Sequence, residues 1–227
     1  MASSPESHRI LGISTGGRPI EAVRLTQGPV PLLLMGGVHG DEPEGFLFVE
    51  RFARQAAWKE LAGLASLWVI PRLNPDGCAQ FERTNGRGVD LNRNMPTKDW
   101  TPEARAPRYF PGTAPGSETE TKLLMDFIDE LKPRAIISAH SWEPMVNYNG
   151  PCRLLAEAIA AFNRYRIADD IGYPTPGSLG TWAGWERQIP TITLEIQRDL
   201  DPGSAWQTHH EAILAGLLFA AHNEKME

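Results

Sequence analysis

The short apolar run Pro31-Leu32-Leu33-Leu34-Met35 stops at Gly36-Gly37 and delivers Val38-His39-Gly40-Asp41-Glu42. A run this short and this apolar suits a strand covered on both faces, as in the parallel sheet of an α/β fold. Its abrupt end at two glycines places the next residues at the carboxyl edge of the sheet, where open α/β folds keep their sites. There the chain presents an imidazole and a carboxylate three positions apart. Both are zinc-type ligands, and a catalytic zinc takes three protein ligands and keeps one position open. A third ligand and a general base are therefore to be sought downstream.

The surrounding pattern supports the fold class. Residues 20–25 and 67–70 read as strands. Residues 43–61 read as a helix, with Phe46, Val49, Phe52, Ala53 and Ala56 at helical spacing and proline in the first turn. Strand, helix, strand implies a parallel pair joined by a right-handed crossover. Residues 74–94 are rich in Asn, Gly, Arg and Asp, and 100–116 form a Pro-rich loop of a length that is usually functional or disordered. Ser117-Glu118-Thr119-Glu120 matches a capping box, opening a helix to about residue 131 that Pro133 stops. A strand at 135–138 ends at His140. Helix is expected over 152–168, a loop over 175–184, a strand carrying Glu195 over 191–196, and a closing helix over 212–221. No repeat or linker interrupts the 227 residues, so one domain spanning 1–227 is expected.

Composition narrows the function classes. A net charge of -6 gives no electrostatic footprint for nucleic acid or anionic lipid. Cys78 and Cys152 make no CxxC spacing and read as free thiols of a reducing compartment. The segment Met1-Ala2-Ser3-Ser4-Pro5-Glu6 lacks the basic and apolar regions of a signal peptide, and no stretch is apolar for long enough to span a membrane. A cytoplasmic protein with no membrane partner is the expectation.

His140 comes after Ala135-Ile136-Ile137-Ser138-Ala139, much as His39 comes after its own apolar run. Two strand ends bearing His, one with Glu42 three residues on, would complete a His2Glu site, with Glu44 as the competing carboxylate. The Asn-rich segment adds Arg83, Asp90, Asn92 and Arg93. An Arg-Asn pair suits a carboxylate ligand, because guanidinium makes bidentate charged hydrogen bonds. A further arginine near a metal suits an oxyanion. Asp90 suits the outer nitrogen of a metal-bound imidazole. For each of these the alternative is a solvated surface charge. His8, His209, His210 and His222 have no carboxylate at ligand spacing and read as ordinary histidines.

Taken in order, His39-x-x-Glu42, Asn74-Pro75-Asp76-Gly77, Gly88-Val89-Asp90-Leu91-Asn92-Arg93-Asn94, His140-Ser141-Trp142 and Thr193-Leu194-Glu195 resemble the zinc carboxypeptidase family. The stretch from Gly12 to Ile20 is similar to that family's first hairpin. The resemblance implies one α/β domain with a mixed, mostly parallel eight-stranded sheet flanked by helices. It implies one zinc per chain on His39, Glu42 and His140, with Glu195 as general base and Arg83 as oxyanion stabiliser. Asn92 and Arg93 would grip the terminal carboxylate, and Asp90 would orient His39. A homodimer is implied by resemblance alone.

Between Gly177 and Glu195 there is no tyrosine, where digestive members carry a mobile one. The string from Ile171 to Trp182, with Thr191-Ile192-Thr193-Leu194-Glu195, instead resembles the bacterial murein peptide amidase A branch. That implies hydrolysis of the γ-D-glutamyl–meso-diaminopimelate bond of murein tripeptide in cell-wall recycling. For the distal end of such a substrate, Glu143, Glu186 or Asp199 are candidates for the amine, and Arg198 or Arg187 for the carboxylate. Trp142, Tyr148 and Trp182 are candidate pocket walls, with core packing as the alternative. Rival readings are an ordinary metallocarboxypeptidase, a zinc deacylase of the aspartoacylase or succinylglutamate desuccinylase type, and a non-catalytic binder of cell-wall fragments. His2Glu sites also accept divalent ions other than zinc.

Overall fold

The computed structural model describes residues 7–55 and 57–227. The segment 1–6, where leader features were sought, and Ala56, part of the helical spacing, lie outside the described residues. Eight strands form one mixed sheet: β1 (Ser7–Ile13), β2 (Pro19–Arg24), β3 (Val30–Met35), β4 (Ala65–Ile70), β5 (Ala135–Trp142), β6 (Met145–Asn149), β7 (Arg166–Ala168) and β8 (Thr191–Gln197). Their spatial order is β1-β2-β4-β3-β5-β8-β6-β7. The central four are parallel, and β2 and β6 join them antiparallel. From β3 the chain passes to β4 on one side and later to β5 on the other. The ends of β3 and β5 therefore flank a crevice of the kind that hosts ligands in open α/β sheets.

Alternation along β3 shows why the run is apolar throughout. Leu32 and Leu34 enter one core with Phe48, Val49 and Phe52 of α1 (Pro43–Arg54), Leu155 and Ile159 of α4 (Arg153–Asn163), and Ile213 and Leu217 of α5 (Pro202–His222). Leu33 and Met35 enter the opposite core with Leu124, Phe127 and Ile128 of α3 (Thr119–Leu131). Fully burying each such side chain is worth roughly 1.5–3 kcal/mol, so β3 is anchored by burial on both faces. Cys78 and Cys152 are free and buried.

Several boundaries differ from the sequence reading. The helix expected over 43–61 ends at Arg54, and Trp58 and Leu61 reach the core from a separate 3-10 turn, Ala57–Leu61. Glu118, not Ser117, occupies the N-cap of α3, and it makes no side-chain cap bond. Its backbone N–H is instead taken by Asn94 Oδ1. The helix expected over 152–168 breaks where Arg164 turns left-handed (φ 61°), and β7 comes next. Part of the expected 175–184 loop is a π-helix, Gly180–Glu186. Residues 74–94 hold a short helix α2 (Pro75–Gln80); with it inserted, the helices from α1 to α5 run in chain order.

The most informative difference concerns β5, which continues through His140 to Trp142. β3 pairs with it only as far as Ser138, while β8 pairs with it to the end, matching His140 with Glu195. His140 therefore projects over the stopped end of β3 from within a strand.

Candidate metal centre and active-site cleft

His39 sits in the loop between β3 and α1, and two glycines permit its path. Gly37 is left-handed (φ +61°), with the Arg72 backbone 2.9 Å from where a Cβ would lie. At Gly40 a Cβ would fall 2.0 Å from the Gly77 carbonyl carbon. The Asn74-Pro75-Asp76-Gly77 motif serves this packing. Asn74 Oδ1 caps α2 at Gly77 N (2.9 Å), and its Nδ2 donates to Val38 O (3.3 Å), one residue from His39. Asp76 faces the other way, accepting from Gly16 N and Arg18 in the β1–β2 turn.

The three sequence-expected ligands converge. Ligand atoms of His39, Glu42 and His140 all lie within 4.8 Å of one another. His39 Nδ1 is 2.9 Å from Glu42 Oε1, His140 Nδ1 is 2.9 Å from Glu42 Oε2, and the two Nδ1 atoms are 3.2 Å apart. The outer nitrogens are occupied: His39 Nε2 lies 3.1 Å from Asp90 Oδ1, and His140 Nε2 lies 3.1 Å from Ser138 Oγ. A proton parked on each Nε2 leaves both Nδ1 lone pairs facing one carboxylate, which is the donor set that a zinc ion takes. The residues fit the metal. Glu44 does not compete, because it binds Ser141 Oγ and Asp199 N instead.

Electrostatics are set by burial and charge. Burial and Arg83 push the His39 pKa down, but Glu42 and Asp90 outweigh them and raise it. Burial opposes ionisation of Glu42 and of Asp90, yet their cationic and imidazole partners hold both carboxyls below the usual range. Glu195 is different: burial, assisted by the Glu42 charge and opposed by His140 and Arg83, pushes it up to about 7. Arg83 donates through Nε to Asp90 Oδ2 (2.8 Å) and through Nη1 to Glu42 Oε1 (3.1 Å).

Asn92 and Arg93 come just after Asp90 on a 3-10 turn capped by Asp90 itself. Leu179 N occupies Asn92 Oδ1 (2.9 Å), fixing the amide. Arg93 is buried, with Nη1 bonded to Asn92 O (2.6 Å). His39, Glu42, Arg83, Asn92, Arg93, His140 and Glu195 all line one cleft of about 540 Å³.

Other walls of the cleft went unforeseen. Tyr109, in the Pro-rich loop, lies against four guanidiniums: Arg83 at 5.0 Å, Arg93 at 5.8 Å, Arg105 at 4.3 Å and Arg108 at 5.5 Å. The Tyr173 ring also meets the Arg105 guanidinium (4.4 Å) and meets the Trp142 ring edge-on (5.6 Å). For Arg105, Arg108 and Tyr109 the only signal in the sequence was the length of the loop, whereas Tyr173 lies in the string from Ile171 to Trp182. Arg198 and Trp142 line the cleft. Tyr148 and Trp182 pack into the cores, and Arg187 pairs with Asp129 at the surface. Glu143, Glu186 and Asp199 do not line the cleft; Glu186 accepts from Lys98 N. A smaller pocket of about 210 Å³ adjoins at Asn92, Tyr173 and Glu195, and its polar wall includes Asn147, Asn149, Asp169 and Asp170.

The sequence profile described as zinc carboxypeptidase matches residues 3–151. Murein peptide amidase A of Escherichia coli (strain K12) is 31% identical over 198 residues, covering 79% of this chain and 79% of that protein. Murein peptide amidase A of Vibrio campbellii (strain ATCC BAA-1116) is 32% identical over 176 residues, covering 72% and 68%. The crystal structure of murein-tripeptide amidase from Escherichia coli O157 superposes with a TM-score of 0.79 at 28% identity, covering 95% of this chain and 93% of that one.

Proposed function

Because this chain belongs to the zinc carboxypeptidase family and is a zinc metallopeptidase, we propose that it removes a C-terminal residue from a murein peptide by cutting the γ-D-glutamyl–meso-diaminopimelate bond. The observation that carries the reading is the convergence of His39, Glu42, His140, Glu195, Asn92 and Arg93 on one cleft. The named amidases, similar over most of their length, supply the substrate class. The carboxylates of Asp169 and Asp170 in the polar side pocket suit the distal ammonium of a leaving diaminopimelate. In this reading residues 1–227 form one catalytic domain, and the reaction belongs to peptidoglycan recycling in the cytoplasm.

His39, Glu42 and His140 would hold the zinc, which when bound supplies Lewis acidity toward the scissile carbonyl and acidifies a water. Asp90, which can only accept, fixes the His39 tautomer, and the Ser138 hydroxyl holds the outer nitrogen of His140. Glu195 accepts the proton of the attacking water and returns it to the departing amine. Arg83 donates to the developing oxyanion. Asn92 and Arg93 hold the terminal carboxylate so that the carbonyl is presented in register.

The test is hydrolysis of L-Ala-γ-D-Glu-meso-diaminopimelate by zinc-loaded protein, with a chelated control. Release of diaminopimelate that the chelator abolishes is expected. No release from protein carrying stoichiometric zinc would reject the substrate.

A further inference from the structure

The cleft carries more positive charge than the proposed chemistry uses. Five guanidiniums line it: Arg83, Arg93, Arg105, Arg108 and Arg198. One oxyanion and one terminal carboxylate account for Arg83 and Arg93. Arg105 is held by two tyrosine rings, Tyr109 and Tyr173. Arg108 and Arg198 are gathered by a single acid: Arg108 Nη2 donates to Asp41 Oδ2 at 2.6 Å, and Arg198 Nη2 lies 3.5 Å from that oxygen. Arg198 is further fixed through Nη2 to Asp41 O (2.5 Å) and through Nη1 to Ser141 O (3.3 Å). Two guanidiniums against one carboxylate leave a net positive charge. Their side chains are 51% and 37% exposed, so a ligand can reach them.

Position decides what such a ligand is. Asn92 and Glu195 line both the main cleft and the side pocket, whereas Arg108, Arg198, Ser141 and Trp142 line only the main cleft. Asp41 immediately precedes Glu42, and Ser141 is next to His140. With a terminal carboxylate on Asn92 and Arg93 and the carbonyl at the ligand triad, the acyl part of the substrate extends toward Arg108 and Arg198. We propose that Arg108 and Arg198, bridged by Asp41, form a second anion site on the acyl side of the scissile bond, taking the free α-carboxylate that a γ-linked glutamyl residue presents there. This rests on the γ-glutamyl reading and adds its recognition element. It also moves Arg198 from the distal end of the leaving residue to the other side of the bond.

The experiment compares zinc-loaded enzyme on L-Ala-γ-D-Glu-meso-diaminopimelate and on the same peptide with the glutamyl α-carboxylate converted to carboxamide. A charge-assisted bond lost on the substrate alone should lower kcat/KM about tenfold for the carboxamide. In Arg108→Gln the two substrates should converge to within about twofold, while Arg108→Lys should keep part of the difference. Zinc content and melting temperature of each variant show that it is folded. Equal rates on both peptides by the unaltered enzyme, or an undiminished difference in folded Arg108→Gln, would overturn the anion site and leave the proposed function standing. Failure to cleave either γ-linked peptide, with turnover of an α-linked one, would overturn both.

Discussion

The metal-ligand cluster and the wall of the cleft facing it are built by opposite means. His140 and Glu195 are register partners on β5 and β8, and His39 hangs from the end of β3 on a loop locked by Gly37, Gly40 and Asn74. The opposing wall belongs to loops. Arg105, Arg108 and Tyr109 come from the Pro-rich loop, and Tyr173 from the segment before the π-helix, joined largely by ring–guanidinium contacts. Sheet register fixes reacting groups at the cost of the whole core, whereas a loop wall changes without disturbing the fold. Chemistry should therefore be separable from substrate choice by mutation.

Glu195→Gln gives the largest expected effect. It keeps the side chain's volume in its strand but removes the proposed proton acceptor, so kcat should fall by about 10²- to 10⁴-fold with zinc still bound stoichiometrically. A variant with near-normal turnover would mean that the base is elsewhere. Arg93→Ala stands at the border of the two regions, buried like the ligands yet assigned to the substrate in the proposed function. Its kcat/KM should drop roughly a hundredfold on peptides with a free terminal carboxylate, by loss of charge-assisted bonds. Amidated ends should be affected little, and a uniform loss on both would remove Arg93 from substrate recognition. Tyr109→Ala probes the loop wall alone. Losing a ring that supports four guanidiniums should raise KM about three- to tenfold and leave zinc affinity unchanged. A fall in zinc affinity would show that the wall and the ligand cluster are one unit after all.

The same contrast explains how far the sequence could be read. His39 and the strand carrying Glu195 were legible because apolar β-type runs announce where strands lie and polar residues near their ends stand out, whereas the role of Glu195 came from the resemblance. The eight-stranded mixed sheet came from resemblance, since β1, β6 and β7 are short or carry little apolar alternation. His140 was assigned its role but placed after its strand; nothing local reveals that β8 prolongs β5 beyond β3. Glu42 and Glu44 were separated by motif, and the physical reason, Ser141 and Asp199 holding Glu44, is tertiary. Arg105, Arg108, Tyr109 and Tyr173 carried no periodicity at all. Their placement depends on long-range ties such as Asn94 Nδ2 binding Pro111 O and Ala114 O, and Met95 N binding Gly177 O.

Remote from both regions, His209 offers the control whose expected effect on turnover is smallest. It is fully buried in α5, beside the rings of Phe48 and Tyr165, and burial pushes its pKa down to about 4. The unfolded chain takes up this proton near pH 6.5, whereas the folded chain resists it until about 4. The unfolded state therefore binds more protons throughout that window, and stability falls as pH drops through it, by about 3 kcal/mol in all. His209→Phe should flatten this part of the stability profile while leaving kcat and KM at neutral pH unaltered. Denaturant melts of both proteins between pH 7 and 4 test it. Parallel acid losses would mean that the scaffold's acid sensitivity lies in other groups, the carboxylates of the ligand cluster among them, and that scaffold and site do not titrate independently.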